Sequence, residues 1–242
     1  PLAADGPALA FAAITMGLAL RQRDAPGTLR AALMGAALGA VLSTKSLEAP
    51  IIVPVALVLL APVVSAARRR ALDTTGLLHG VVAGAAALLV FLAVTIPLGF
   101  ADVWDQSVVY RTDAAAERDI PATAAKLVST LWDRDLALLL VGAVALVCGI
   151  LALRRTGAAR TAVVDDDATW ASHRRWAADG TSDWSPSGRL LAVAWLVVTL
   201  LWLVLVVSPL WRPHVAAVSI PLVLVIALYR PPLRPLLVAG VV

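Results

Sequence analysis

Asp5, Lys45, Arg212 and His214 each stand beside an apolar run, at the depth where headgroup phosphates lie in a bilayer. Asp5, in ADGPALAF, can hold a divalent cation, Mg2+ or Mn2+, against a phosphate, or orient an acceptor hydroxyl as a supporting acid. The structural alternative is a helix N-cap, because Gly6 and Pro7 follow. Lys45, in LSTKSLEAP, occupies a turn of a few residues and offers an ammonium to a phosphate. Its alternative is a snorkelling lysine paired with Glu48, which reads as that partner or as a helix N-terminal acid. Arg212 and His214, in SPLWRPHVAAV, share a turn stiffened by Pro209 and Pro213 and anchored by Trp211. A rigid Arg and His at headgroup level suit a phosphate or pyrophosphate, or else serve only as an interfacial anchor. Tyr110 and Arg111, in SVVYRTD, could reach a sugar or phosphate, with simple solvation as the alternative.

The elements that must position these residues are apolar runs at roughly 7–20, 31–44, 51–67, 77–96, 136–153, 190–207, 214–229 and 233–242. With 60% hydrophobic residues and a mean hydropathy of +0.87, the chain has too little polar surface to cover a water-soluble globule. The expected fold is all-α, a polytopic transmembrane helix bundle of about eight spans. Several runs fall short of the ~20 residues that cross a bilayer core and are counted as spans by extending into their small-residue flanks. The organisation reads as transmembrane helices over 1–97, an extracytoplasmic loop over 98–135, and transmembrane helices over 136–242 with a cytoplasmic loop at 154–189. The sequence begins at Pro1 and stops inside an apolar run, which reads as a piece of a longer polytopic protein.

Orientation follows from charge. The gaps after the first, third, fifth and seventh runs hold 14 of the 20 basic residues, among them Arg21, Arg23, Arg68, Arg69, Arg70 and Arg189. Basic segments resist translocation, so this set is expected in the cytoplasm, and Lys45, Arg111, Arg212 and nine of the 16 acids on the outer face of the plasma membrane. The net charge of +4 and pI near 10.0 are then a topogenic signal, and no basic, aromatic-interleaved stripe points to nucleic acid. Within the runs, Gly35 and Gly39 of GAALG make a small-residue face for close helix packing. In the outer loop, PATAAKLVSTLW places Ala125, Leu127, Val128, Leu131 and Trp132 at near-helical spacing, which predicts an amphipathic outer-surface helix with Trp132 among the headgroups. The inner loop has no periodicity, and its Asp165, Asp166 and Asp167 read as a solvated run. His79 and His173 have no second ligand at metal spacing, and Cys148 stands alone inside a run, so neither a cysteine metal site nor a disulfide within the chain is expected.

The order ADGPALAFAAITMGLALRQR, LRAALMGAALGAVLSTKSLEAPIIVPVAL, VWDQSVVYR, SPLWRPHVAAVSIPLVLVIAL resembles the polytopic C-type (GT-C) glycosyltransferases, membrane enzymes related to protein mannosyltransferases and to the lipid A aminoarabinose transferase. The resemblance implies transfer of a sugar from a polyprenyl-phosphate donor to a glycan, lipid or protein acceptor of the cell envelope, on the extracytoplasmic face. It also implies that Asp5 sits at the family's second acidic position, Lys45 at the lysine of its TK turn, and Arg212 and His214 in an outer turn that carries basic residues near the carrier phosphate. The family's principal catalytic aspartate lies upstream of anything in this sequence, so the fragment alone is expected to be inactive. The Ala- and Arg-rich composition fits a bacterial chain of high GC content. The competing functions are a membrane transporter or flippase subunit, which needs polar groups at mid-membrane depth or broken helices, and a non-catalytic scaffold.

Overall fold

An apolar run without interior charge gains most as a helix, because the helix satisfies every backbone N–H and C=O internally. The chain uses this solution throughout. The computed structural model describes residues 5–109, 113, 119–159, 186–207 and 212–229, and every regular element among them is helical. In order, these are α1 (Asp5–Asp24), α2 (Thr28–Thr44), a 3-10 turn (Ser46–Ile51), α3 (Ile52–Arg68), α4 (Thr74–Thr95), α5 (Phe100–Trp104) and a π-helical turn (Asp105–Val109). Then come α6 (Ile120–Ala159), α7 (Gly188–Leu205), a second 3-10 turn (Arg212–Val218) and α8 (Ser219–Tyr229).

The most extensive contact is α2 on α4, followed by α1 on α2. The sequence explains its closeness. A Cβ on Gly35 would fall on the Ala83 carbonyl oxygen, and one on Gly39 on the Ala87 carbonyl oxygen with Val90 Cβ 3.0 Å away. Two glycines one turn apart therefore let the backbones touch, which is the packing that the GAALG spacing predicts. Around this contact a first core cluster joins Met16, Met34, Val41, Ile51, Val55 and Trp195, the last with no exposed surface. A second cluster joins Leu47, Leu127, Leu131, Val207, Val215 and Leu222, and ties α6, α7 and α8 to both 3-10 turns.

Helix ends are set by local chemistry. Asp73 caps α4, its carboxylate accepting from Gly76 N at 2.9 Å, and Ser187 caps α7, its hydroxyl accepting from Leu190 N at 3.1 Å. Asp119 accepts from Ala122 N at 3.0 Å and starts α6 just before Pro121. Gly99, at φ 83, makes the turn between α4 and α5. Buried hydroxyls inside the helices bond back one turn, as Thr15 does to Phe11 O and Thr95 to Phe91 O, both at 2.8 Å.

Among the described residues three helical segments are long and apolar enough to cross a membrane: Leu47–Arg68, Thr74–Thr95 and Gly188–Leu205. Two shorter apolar helices, Thr28–Thr44 and His214–Leu228, accompany them. Only 11% of the most apolar stretch of α4 is buried in the bundle, so its other faces present Leu77, Leu78, Val81, Leu88 and Leu89 outward.

One element differs from the sequence expectation. The amphipathic helix and the following run form one helix, Ile120–Ala159, of 40 residues, roughly 60 Å at 1.5 Å per residue. No glycine or proline separates Trp132 from Leu136, so nothing interrupts the backbone ladder. Its inward stripe is Leu127, Thr130 and Leu131, while Val128 and Trp132 are exposed. The expected outer loop therefore ends in the first turns of a rod. Residues 154–159, expected in the inner loop, are its last turns. The side chain of Cys148, and all of Asp165, Asp166, Asp167 and His173, lie outside the described residues.

The α2–α4 contact gives a signed test. Gly35→Ala should lower stability by about 1–3 kcal/mol because the backbones must separate. Gly84→Ala on α4 has nothing within 4 Å to meet, and should raise it by about 0.5–1 kcal/mol through helix propensity. Thermal unfolding of the detergent-solubilised protein, followed by tryptophan fluorescence, reads both.

Candidate functional site

Lys45 and His214 lie at one end of the bundle, with the backbones of Asp5 and Arg212. Lys45 joins α2 to the first 3-10 turn in an extended conformation, its amide donating to Val41 O at 2.9 Å and its carbonyl accepting from Glu48 N at 3.2 Å. Leu47 anchors this turn in the same cluster as Val215 and Val218 of the second 3-10 turn, so the turn that follows Lys45 packs on the turn that holds His214. Both turns also contact α1 and α7. Because α1 and α2 form an antiparallel hairpin across residues 25–27, the N-terminal end of α1, with Asp5, belongs to this same end.

Lys45 and His214 are half-buried here, whereas Glu48 is only 3% exposed. All three are engaged by the surrounding fold. A carboxylate so deeply held is a structural part of the turn, which suits its reading as a partner within the fold better than a reactive acid. Arg212 opens the second turn, but its side chain and that of Asp5 lie outside the described residues, as do Tyr110 and Arg111 entirely. Among the described residues no three His, Cys, Asp or Glu side chains converge as a metal site would require.

The opposite end is built differently. The C-terminal ends of α1 and α3 meet the start of α4 around a cavity of about 410 Å3. Its polar wall is Gln22, Arg23, Arg69, Asp73 and His79, and its apolar wall runs down α3 through Val58, Leu59 and Pro62. Gln22 is 3% exposed and its side-chain oxygen accepts from Gly27 N at 3.1 Å, closing the α1–α2 turn. Arg23 pairs with Asp24 at 2.7 Å, and its Nη1 would lie 2.9 Å from a Cβ placed on Gly188, which leaves α7 room to start against it.

His79 is 7% exposed, in the second turn of α4. Its sequence neighbourhood gives no ligand spacing, and its significance comes from α1 and α3 folding over it. What could have marked it is its place as an ionisable side chain among the first residues of an otherwise apolar 22-residue helix.

The cavity rim carries backbone strain. α3 ends with Arg70 N donating to Ala67 O at 3.0 Å and Ala71 N to Ala66 O at 2.9 Å, a Schellman arrangement. The left-handed position in it is Arg70, at φ 56, where glycine is usual. Midway along α7, Trp195 Nε1 and Thr199 Oγ1 are buried with no hydrogen-bond partner among the described residues, one turn apart.

No family model, no curated protein and no solved structure matches the chain. The site is therefore read from its own chemistry. Arg70→Gly should raise the unfolding midpoint, relieving about 1 kcal/mol of left-handed strain, while Arg70→Ala, which keeps a Cβ, should not. Parallel melting curves of the two variants check this.

Proposed function

We propose that this chain is part of an integral membrane glycosyltransferase that moves a sugar from a polyprenyl-phosphate donor to a cell-envelope glycan, lipid or protein acceptor. In this reading the bundle has about eight spans in the plasma membrane, the base-rich end faces the cytoplasm, and the end carrying Lys45 and His214 is extracytoplasmic. The observation that carries it is the packing of the turn that follows Lys45, Ser46–Ile51, against the turn that bears Arg212 and His214, Arg212–Val218, at the end away from the arginine cluster. A cation held against the positive-inside trend, beside one basic turn, is what a phosphate leaving group at the bilayer surface would require.

The reaction would be a direct displacement at the anomeric carbon. The acceptor hydroxyl oxygen forms the new glycosidic bond while the bond to the carrier phosphate breaks, the negative charge grows on the departing phosphate oxygens, and the hydroxyl proton passes finally to that phosphate. Lys45, Arg212 and His214 stabilise that charge, and Asp5 aligns the acceptor or holds a divalent cation. The steps assigned to the basic residues do not depend on the metal.

Donor binding tests the site directly. In nanodiscs, Lys45→Ala and His214→Ala should each weaken binding of polyprenyl phosphate roughly tenfold, the loss of one charge-assisted contact. Unchanged binding in variants that melt like the parent protein overturns the assignment.

Orientation is a separate test. With Cys148 replaced by Ser, cysteines introduced as Lys45→Cys and Arg69→Cys should react with a membrane-impermeant maleimide from opposite sides, position 45 from outside intact cells and position 69 only after permeabilisation. Labelling of both from one side removes the proposed topology.

A further inference from the structure

We propose that the cavity among α1, α3 and α4 is a binding site for an anionic phospholipid, taking the headgroup phosphate at its mouth and an acyl chain along α3. The inference rests on the membrane reading of the bundle and not on the transferase reading, whose residues lie at the other end.

Three observations carry it. First, charge: Arg21, Arg23, Arg30, Arg68, Arg69, Arg70 and Arg189 stand at this end against Asp24 and Asp73. Both acids are committed, Asp24 to Arg23 and Asp73 to the α4 N-terminus, so the field at the mouth is positive. Second, donors: Arg23, Arg69, His79 and the carboxamide of Gln22 line the cavity, and two of them, Gln22 and His79, are more than nine-tenths buried. Gln22 already uses its oxygen on Gly27, so what it offers a ligand is N–H. Nitrogen donors set this deep beneath a positive rim fit phosphate oxygens.

Third, shape: from Arg69 to Val58 the α3 wall descends eleven residues, roughly 16 Å, and turns from charged to wholly apolar. A free phosphate would fill only the mouth. A lipid, with its phosphate among the arginines and its chain against Val58, Leu59 and Pro62, matches the entire gradient.

The test uses the purified full chain in a neutral detergent, with phosphatidylglycerol, phosphatidylcholine and inorganic phosphate as probes of thermal stability and of retained lipid in native mass spectrometry. Phosphatidylglycerol should raise the unfolding midpoint and remain bound, and the other two should do neither. Arg69→Gln, an exposed position, and Arg23→Gln should each weaken the phosphatidylglycerol response roughly tenfold in concentration. Lys126→Gln, an equal loss of charge on exposed α6, should leave it unchanged. Equal responses to phosphatidylcholine, or to inorganic phosphate, would overturn the lipid assignment. A full response in both arginine variants, or an equal loss in Lys126→Gln, would overturn the site.

Discussion

The closeness of α2 to α4 is the constraint on which the rest of the architecture depends. Where no side chain intervenes at Gly35 and Gly39, the two backbones meet, and α2 becomes a spine with α1 on one side and α4 on the other. Between helices with apolar surfaces in an apolar solvent, such contact gains dispersion energy that bulkier residues would forfeit by standing off. The three-helix unit then fixes both ends of the bundle at once. It sets where Lys45 leaves α2 and where Arg23 and Gln22 leave α1, and it fixes the start of α4 that brings His79 under α3.

The two ends have contrasting designs. At the Lys45 end, short 3-10 turns interlock through Leu47, Val215 and Val218, and the polar side chains are carried on stiff, proline-bearing backbone. Precision of placement is what such turns supply, and it suits stabilising charge that appears only during a reaction. At the arginine end the helices splay around a cavity whose mouth is charged and whose depth is apolar. That gradient suits an amphiphile held at equilibrium, and α3 closes there with an arginine in a backbone region where glycine costs less.

Much of this was legible in the residues and some was not, for physical reasons. Helical class, the gathering of arginines at alternate gaps and the Gly35–Gly39 face follow from composition and from a four-residue spacing, because each is local. The number of membrane-crossing segments is less determined, since α2 with 17 residues and α8 with 11 are apolar without having the length to span alone. The continuity of α6 is less legible, since Asp133, Arg134 and Asp135 stand between the amphipathic stretch and the apolar run at 136–153, yet charge alone does not terminate a helix that lacks glycine or proline at the join. Glu48 and His79 were hidden for another reason. Burial of an ionisable group is set by elements distant in the chain, and no spacing within LSTKSLEAP or GLLHGVV encodes it.

Consider finally the rod that begins at Ile120. Its roughly 60 Å is about twice the hydrocarbon thickness of a bilayer, so if one part is immersed, a comparable part must stand clear of the lipid. A continuous helix bends little over that distance. Leu127 and Leu131 seat its first turns in the same cluster as Val215 and Leu222, so a tilt of the rod would be delivered, lever-fashion, to α8 and α7, which it contacts.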